Sequence, residues 1–580
     1  MNKYLDYIFD GAFGTYYSFK NDQSKASELF NISDAKGVVE VHKEYIAAGV
    51  NAIKTNSFRL NSSLIDDKGY RDLLIKKSVQ NAKVAIDGKR VAIFADIGPI
   101  NITEENENEY LEIVKVFESQ GIKNYLFETN IEYSSLKSAV KYIKRYIKDS
   151  VVIVSFGFNQ DGYTQLGYYY KNLCEEVSQD ADYFGMNCIC GPVHMLALAK
   201  ELDTTKYNIS VMPNAGYPSI NHQPMFDHNA DYFSDMLVKF AALDVKVLGG
   251  CCGSTPDHIA KTITKINNTK IEYQVYHSEA KKVINHNSKI KDILASKTKL
   301  IAAEIEPPKT TDVSHLLESA YKLKKVGAHL LTFVDSPLGK TRADSLMIAA
   351  KIKNEVDINV LPHLTCRDKN QIAIKGGLIG ANIAGVNNVL ALSGDAIAQI
   401  DREVSKGVFS FNSINLINYI SELNHDIFYD NPYLIAGALN VNALSFKAEL
   451  SRAQQKEIKK VDYFITQSIF TKEAIDNVKL AATELKVPIV VGLYPVASYK
   501  NALFLNNEVK GITIPPDFIE KLSVADAKDY QEISVEYICS LIDELYDYCS
   551  GFYISTPLRK TDYVCAIIEY IKQKEQAHES

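Results

Sequence analysis

Cys251 and Cys252 stand side by side in the stretch Val247-Leu-Gly-Gly-Cys-Cys-Gly-Ser-Thr255. Adjacent cysteines rarely bond to each other, because a normal trans peptide does not reach disulfide geometry. In a reducing compartment, such a pair at the end of an apolar run points to a metal site. The flanking glycines let the backbone turn sharply and let another group come close. Cys188, in Asn187-Cys188, is the candidate third ligand. Three thiolates around one ion leave a tetrahedral position open, the pattern of a catalytic zinc rather than a closed structural one. Such an ion lowers the pKa of an incoming thiol, which would then bind as thiolate and attack a methyl donor lying in line with it. Asp10 and Glu128 are the candidates to hold a substrate ammonium, so an amino-acid thiol is the expected substrate.

These residues need a scaffold that brings distant segments together. Eight short apolar runs recur in the first half: Tyr7–Asp10, Ala52–Thr55, Val91–Ala95, Tyr125–Glu128, Val151–Phe156, Tyr183–Asn187, Ile209–Pro213 and Val245–Leu248. Their length and β-branched or aromatic content suit buried parallel strands. Helix-like segments such as Val38–Ala48, Leu111–Gln120, Ser135–Lys148 and Asp231–Leu243 lie between them. Eight alternations predict a (β/α)₈ barrel of the TIM type, with a doubly wound sheet as the alternative. The polar residues follow the runs, at the barrel end where such enzymes carry their chemistry. Closure would bring Cys188 to the cysteine pair. Simpler readings remain beside these. Cys190 is an alternative ligand, Asp10 a brace for its glycine turn, Glu128 a structural pair partner, and His258 first-turn helix surface.

A second set of eight runs begins at Leu300: Leu300–Ile305, Leu330–Val334, Ile358–Leu364, Asn388–Leu392, Tyr433–Ala438, Tyr463–Gln467, Pro488–Leu493 and Phe552–Thr556. Helical patterns intervene, as at Ser314–Val326, Ala343–Asn354 and Lys472–Leu485. The expected architecture is two (β/α)₈ barrels in tandem, over 1–265 and 298–580, joined by a polar, lysine-rich linker over 266–297. Run ends are again polar: Glu304 before Glu306-Pro-Pro308, Asp335, His363, Asp395 and Gln467. A carboxyl just before a rigid Pro-Pro turn suits a placed general acid. Asp395 has a helix-capping alternative, and Arg367–Asp368 a local ion pair as theirs. Cys366 is expected to be a packed thiol. No Gly-rich dinucleotide fingerprint occurs, so a flavin would sit on the barrel itself.

With 580 residues and 46% hydrophobic content there is ample core for such a pair of domains. A net charge of −7 argues against a nucleic-acid partner or an anionic membrane surface. No apolar run reaches the ~18 residues of a membrane span. The segment Met1–Ile8 lacks the apolar run of a signal peptide, so a cytoplasmic protein is expected. Nine scattered cysteines do not read as a disulfide framework.

Asp10-Gly-Ala-Phe-Gly-Thr15, Thr55-Asn-Ser-Phe58, Glu128-Thr129, Gly185-Met-Asn-Cys188, Pro213-Asn-Ala-Gly216 and Gly249-Gly-Cys-Cys-Gly253 resemble, in order, the homocysteine S-methyltransferase family. The resemblance implies Zn²⁺ on Cys188, Cys251 and Cys252, with Asp10 and Glu128 near the homocysteine amino group. Asp96 stands where that family commonly has a small residue. Glu304-Ile-Glu-Pro-Pro-Lys309, Asp335-Ser-Pro337, His363 to Asn370, Asn388 to Asp395, Phe464-Ile-Thr-Gln467, Gly492 to Pro495 and Gly511 to Pro515 resemble methylenetetrahydrofolate reductase. That implies a non-covalent FAD, reduced by NAD(P)H, that passes hydride to methylenetetrahydrofolate. It further implies Glu304 as general acid, Asp395 near flavin and pterin, Gln467 on the folate, and His363 and Lys456 at flavin-binding positions. None of the twelve histidines has an aspartate two residues before it, so a cobalamin-binding Asp-x-His motif is missing. The methyl donor is therefore expected to be a small sulfonium such as S-methylmethionine or a separate corrinoid protein, with methylfolate ranked below both. The non-enzymatic alternative for the first barrel is a zinc-holding interaction scaffold, and for the second a flavin-free folate-binding module.

Overall fold

In the computed structural model, the described residues are 5–23, 25–102, 106–216, 229–271, 288–395, 407–509 and 511–579. They divide into two compact units, Met1–Ala280 and Lys281–Ser580. Each is built on eight parallel strands, so the chain is a tandem of TIM-type barrels rather than a doubly wound sheet.

In the first unit the strands are β1 (Tyr7–Ile8), β2 (Ala52–Lys54), β3 (Ala92–Ile97), β4 (Asn124–Asn130), β5 (Val151–Phe156), β6 (Tyr183–Asn187), β7 (Ile209–Met212) and β8 (Val247–Leu248). Each pairs with the next from β2 to β8, and β8 returns to β1 with Tyr7 opposite Val247. A parallel bridge from Phe9 to Ala52 closes the ring. The strands read as continuous apolar runs because both faces are covered. One face fills the barrel interior with Phe9, Phe94, Leu126, Ile153, Met212 and Val247. The other meets amphipathic helices. In helix Glu109–Ser119, Tyr110, Ile113, Val114 and Phe117 recur at helical spacing and are buried.

The second unit repeats the plan with β9 (Leu300–Ile305), β10 (Leu330–Phe333), β11 (Asn359–Thr365), β12 (Asn388–Leu392), β13 (Leu434–Leu439), β14 (Tyr463–Ser468), β15 (Ile489–Leu493) and β16 (Gly551–Ser555). β16 pairs back onto β9 and closes the barrel. All sixteen runs expected from the sequence are strands, with ends shifted by up to two residues.

The stretch 266–297 contains ordered helix at both ends. One helix runs to Asn268, and another spans Lys289–Ala295. Residues 272–287, with most of the lysine-rich run at 281–289, lie outside the described residues. Ile290 and Leu294 of the short helix join the interior cluster with Leu300, Leu330, Leu434 and Tyr463, the first residues of β9, β10, β13 and β14. The helix therefore plugs the N-terminal end of the second barrel. Among the described residues no helix is long and apolar enough to cross a membrane.

Candidate active sites at the two barrel mouths

The three cysteines meet. Cys188 follows β6, Cys251 and Cys252 follow β8, and their sulfurs all lie within 4.8 Å of one another. Cys188 Sγ and Cys252 Sγ are 3.7 Å apart. A tetrahedral ion with Zn–S bonds of ~2.3 Å needs sulfurs roughly 3.8 Å apart, so the donor set fits zinc. S–H donation from Cys251 and then Cys252 pulls Cys188 down to about 3, and the same sharing pushes Cys251 up to about 12 and Cys252 further. Cys190 is no part of this: it is buried, it donates to the Phe158 carbonyl at 3.1 Å, and burial pushes it up to about 11.

The backbone that delivers the sulfurs is strained and tied. Thr129, Cys188 and Ile189 have φ of 58°, 57° and 54°, sparsely populated for such residues. Asn187 over-determines the first two: its Oδ1 accepts from Thr129 N at 3.0 Å and from Ser155 Oγ at 2.7 Å. Its Nδ2 donates to Thr129 Oγ1 at 2.6 Å and approaches Cys251 Sγ at 3.8 Å. At the barrel seam, Ser254 Oγ donates to the Cys251 carbonyl at 2.7 Å and accepts from Ala12 N at 3.1 Å. A Cβ on Gly250 would fall 2.2 Å from Ser254 Oγ, which explains the glycine there.

Beside the sulfurs lies a buried charge cluster. Asp10, Lys54, Asp96 and Glu128 are 0%, 4%, 5% and 4% exposed. Lys54 Nζ sits 3.2 Å from Glu128 Oε1, and Lys54 N donates to Asp10 Oδ2 at 3.1 Å. Burial pushes Asp10 up to about 7 against the pull of Lys54. It pushes Asp96 well above the carboxylate range, and Asp96 hydrogen-bonds Glu128. Glu128 is raised by burial and restrained by Lys54. Burial alone would lower Lys54; Glu128, Asp10 and Asp96 together overcome it and hold the lysine charged. Asp10 Oδ1 and Asp96 Oδ1 have no hydrogen-bond partner. Lys54 was missed in the sequence, although a lysine inside an apolar strand run is itself a signal. His258 departs from expectation. It opens its helix as predicted, but it is buried: its ring shares a capping box with Thr255 and packs on Phe233.

In the second barrel, Glu304 lies half-buried on β9 and receives the hydroxyl of Tyr553. Burial raises its pKa, Tyr553 opposes, and nearby Glu306 adds to the rise. His363 Nε2 is 3.3 Å from the same hydroxyl, and burial lowers His363 to about 4. Tyr553 was missed because its apolar strand gives it a core reading. Asp335 Oδ2 accepts from Thr365 Oγ1 at 2.9 Å and lies 3.5 Å from Lys369 Nζ. Arg367 is buried and pairs with Asp368 at 2.7 Å, and Asp395, exposed after β12, also acts on it. Gln467 is exposed near the end of β14. Cys366 is buried and donates to the Leu392 carbonyl at 3.3 Å. Lys456 is buried, donates to the Ala438 carbonyl at 2.6 Å, and is lowered by burial. Among the described residues no carboxylate comes within ion-pair distance of it. Buried Lys456, on which Glu449 also acts and whose amine lies at the end of β13, with His363 on β11 and Arg367 just after it, offers hydrogen-bond donors and positive charge that fit a phosphate-bearing cofactor such as FAD.

Residues 7–266 match the family model described as homocysteine S-methyltransferase, and residues 289–572 the one described as methylenetetrahydrofolate reductase. Among curated proteins, the methionine synthase of Mycobacterium leprae is 26% identical over 265 residues, 41% of this chain and 22% of that one. The methionine synthase of Mycobacterium tuberculosis is 25% identical over 274 residues, 42% of this chain and 22% of its own length. The chain thus spans only about a fifth of the length of those relatives. Among solved structures, the metallated form of the homocysteine methyltransferase MmuM from Escherichia coli is 19% identical, with a TM-score of 0.37, covering 45% of this chain and 96% of that one. Its oxidized form is 19% identical, with a TM-score of 0.38, covering 44% and 95%. The chain belongs to the homocysteine S-methyltransferase family over residues 7–266 and to the methylenetetrahydrofolate reductase family over residues 289–572.

Proposed function

We propose that the first barrel methylates the thiol of homocysteine to give methionine, and that the second reduces 5,10-methylenetetrahydrofolate to 5-methyltetrahydrofolate. The observation that carries the first half is the convergence of Cys188, Cys251 and Cys252 beside a buried carboxylate cluster. Those cysteines would hold Zn²⁺, which supplies the Lewis acidity that keeps a bound thiol deprotonated at neutral pH. Asp10 and Glu128 offer negative charge to the substrate ammonium. Lys54 favours the ionised form of Glu128 against the effect of its burial, and Asn187 fixes the strand ends that carry Glu128 and Cys188. The donor is a small sulfonium or the methyl group of a separate corrinoid protein.

For the second half, the supporting features are the carboxyl of Glu304, held by Tyr553, and the buried cations Arg367 and Lys456. FAD, reduced by NAD(P)H, supplies the hydride when bound. His363 and Lys456 would hold it, while Asp395 and Gln467 orient the folate. Glu304, whose carboxyl burial raises above the usual range, gives its proton to the folate amine as the five-membered ring opens. Nine unbonded cysteines agree with a reducing, cytoplasmic setting.

The deciding experiment is a methyl-donor panel with homocysteine on zinc-replete protein, with and without methylcobalamin. Methionine formation with one donor is expected. Zinc uptake with no homocysteine binding would make the first barrel a scaffold. For the second barrel, purified protein is expected to be yellow and to be bleached by a reduced nicotinamide. A colourless protein that binds folate would overturn the reductase reading.

A further inference from the structure

The carboxyl of Glu304 is held from β16, by Tyr553 first and by the Ser555 hydroxyl second. Ser555 pairs with Glu304 across β16 and β9, which sets Tyr553 two residues back to reach it. The Tyr553 hydroxyl donates to Glu304 Oε2, and His363 Nε2 from β11 approaches that hydroxyl at 3.3 Å. Tyr553 and His363 are 7% and 8% exposed, whereas Glu304 opens to the barrel mouth. Thr556 Oγ1 donates to the Glu304 carbonyl at 2.5 Å, so the main chain under the carboxyl is pinned too. A tyrosine has one hydrogen to give. Once it is given to Glu304, the phenol oxygen is left as an acceptor, which a neutral imidazole carrying its hydrogen on Nε2 satisfies. With that tautomer of His363, donation runs one way, from His363 through Tyr553 to Glu304 Oε2.

We propose that Tyr553 is a positioning residue for Glu304: by occupying Oε2 it assigns the transferable proton to Oε1, the oxygen left to face the folate. This rests on reading the second barrel as a folate reductase. The proton leaves Oε1 and its bonding pair stays on the carboxyl group. The folate amine nitrogen gains the N–H bond and keeps the pair of the breaking C–N bond, and the positive charge passes to the other ring nitrogen. The Tyr553 hydroxyl then steadies the new carboxylate. The titratable groups acting on Glu304 are Glu306 beyond its own strand, Tyr553 on β16 and Tyr494 after β15, with His363 reached through Tyr553. Glu306 is itself paired with Arg342, so Tyr553 is the donor whose removal changes the carboxyl most directly.

Tyr553→Phe removes the donor and almost no volume. Carbon-13 NMR of the glutamate-labelled full chain, with the resonance assigned by Glu304→Gln, follows the Glu304 titration without flavin or substrate. The midpoint is expected to rise by about one pH unit in Tyr553→Phe, since a donor to the charged form has been lost. In the flavin-loaded enzyme the basic limb of folate reduction should move up by the same amount, with flavin reduction by nicotinamide unchanged. Incorporation of 3-fluorotyrosine at 553, a stronger donor of the same shape, should move both down and guards against a variant that fails to fold. An unmoved midpoint in protein that still reduces its flavin overturns the proposal. If the wild-type chain takes up no flavin, the reductase reading fails, while the NMR midpoint still decides the Tyr553 contact.

Discussion

The two barrel mouths solve the same problem differently. Each must keep ionisable groups in chosen protonation states inside an apolar shell. The first adds company to dehydration: burial raises Asp10, Asp96 and Glu128, the Lys54 charge among them pulls them back, and three thiols share hydrogen bonds. The second does it by dehydration: Glu304 is raised and His363 lowered chiefly by burial, joined through one tyrosine. Company makes a site that needs all its members. Dehydration makes one whose parts are changed singly, at smaller cost to the fold.

The sharpest break in this comparison is at the sulfurs. Cys252→Ala should drop zinc from about one ion per chain to near none and abolish methyl transfer, with folate reduction unchanged, read by metal analysis and both assays. Loss of both activities would show that the barrels do not work separately. Glu304→Gln should slow folate reduction about 10²–10⁴-fold and leave nicotinamide-driven flavin reduction intact. Lys54→Met strands three acids in the interior. It should destabilise the first unit by about 3–5 kcal/mol in denaturant titration, the cost of breaking a buried pair. If Lys54→Met cost no more than a surface change, the view that the cluster depends on mutual pairing would be wrong. Ile290→Ala, which empties part of the barrel plug, should cost the second unit about 2–4 kcal/mol. A smaller, pH-dependent effect belongs to His42, fully buried in the first unit against Phe13 and lowered to about 3. The unfolded chain binds this proton below pH ~6.5 and the folded chain does not, so stability falls as pH drops from there toward 3. His42→Leu should remove roughly 2 kcal/mol of that loss at pH 5, seen as a flatter acid limb of melting temperature.

The strands were legible because both their faces are buried, which writes them as unbroken apolar runs. The cysteines and acids at their ends were legible by residue type and position. What tied them was not. Asn187 bridges β4, β5 and β6, Lys54 on β2 reaches β4, and Tyr553 on β16 reaches β9 and β11. Such partners are set by the order of strands around a ring, and a linear pattern carries no trace of them. His258 was misjudged as surface because its polarity outweighed a capping role visible only with Thr255 turned toward it. The helix Lys289–Ala295 escaped notice because its seven residues bury only Ile290 and Leu294, too few for a periodic signal.

The seam at Ser254 has a kinetic consequence. It joins Ala12 to Ser254 across 242 residues of chain, and Tyr45 Oη shares its one hydrogen between the Ser254 and Ala12 carbonyls, at 3.0 and 3.1 Å, in the same knot. Contacts so remote in sequence form late, after the intervening loops have been closed. A metal held by Cys251 beside this seam would therefore be captured only after the two ends of the first unit have met, which makes its uptake a report of ring closure.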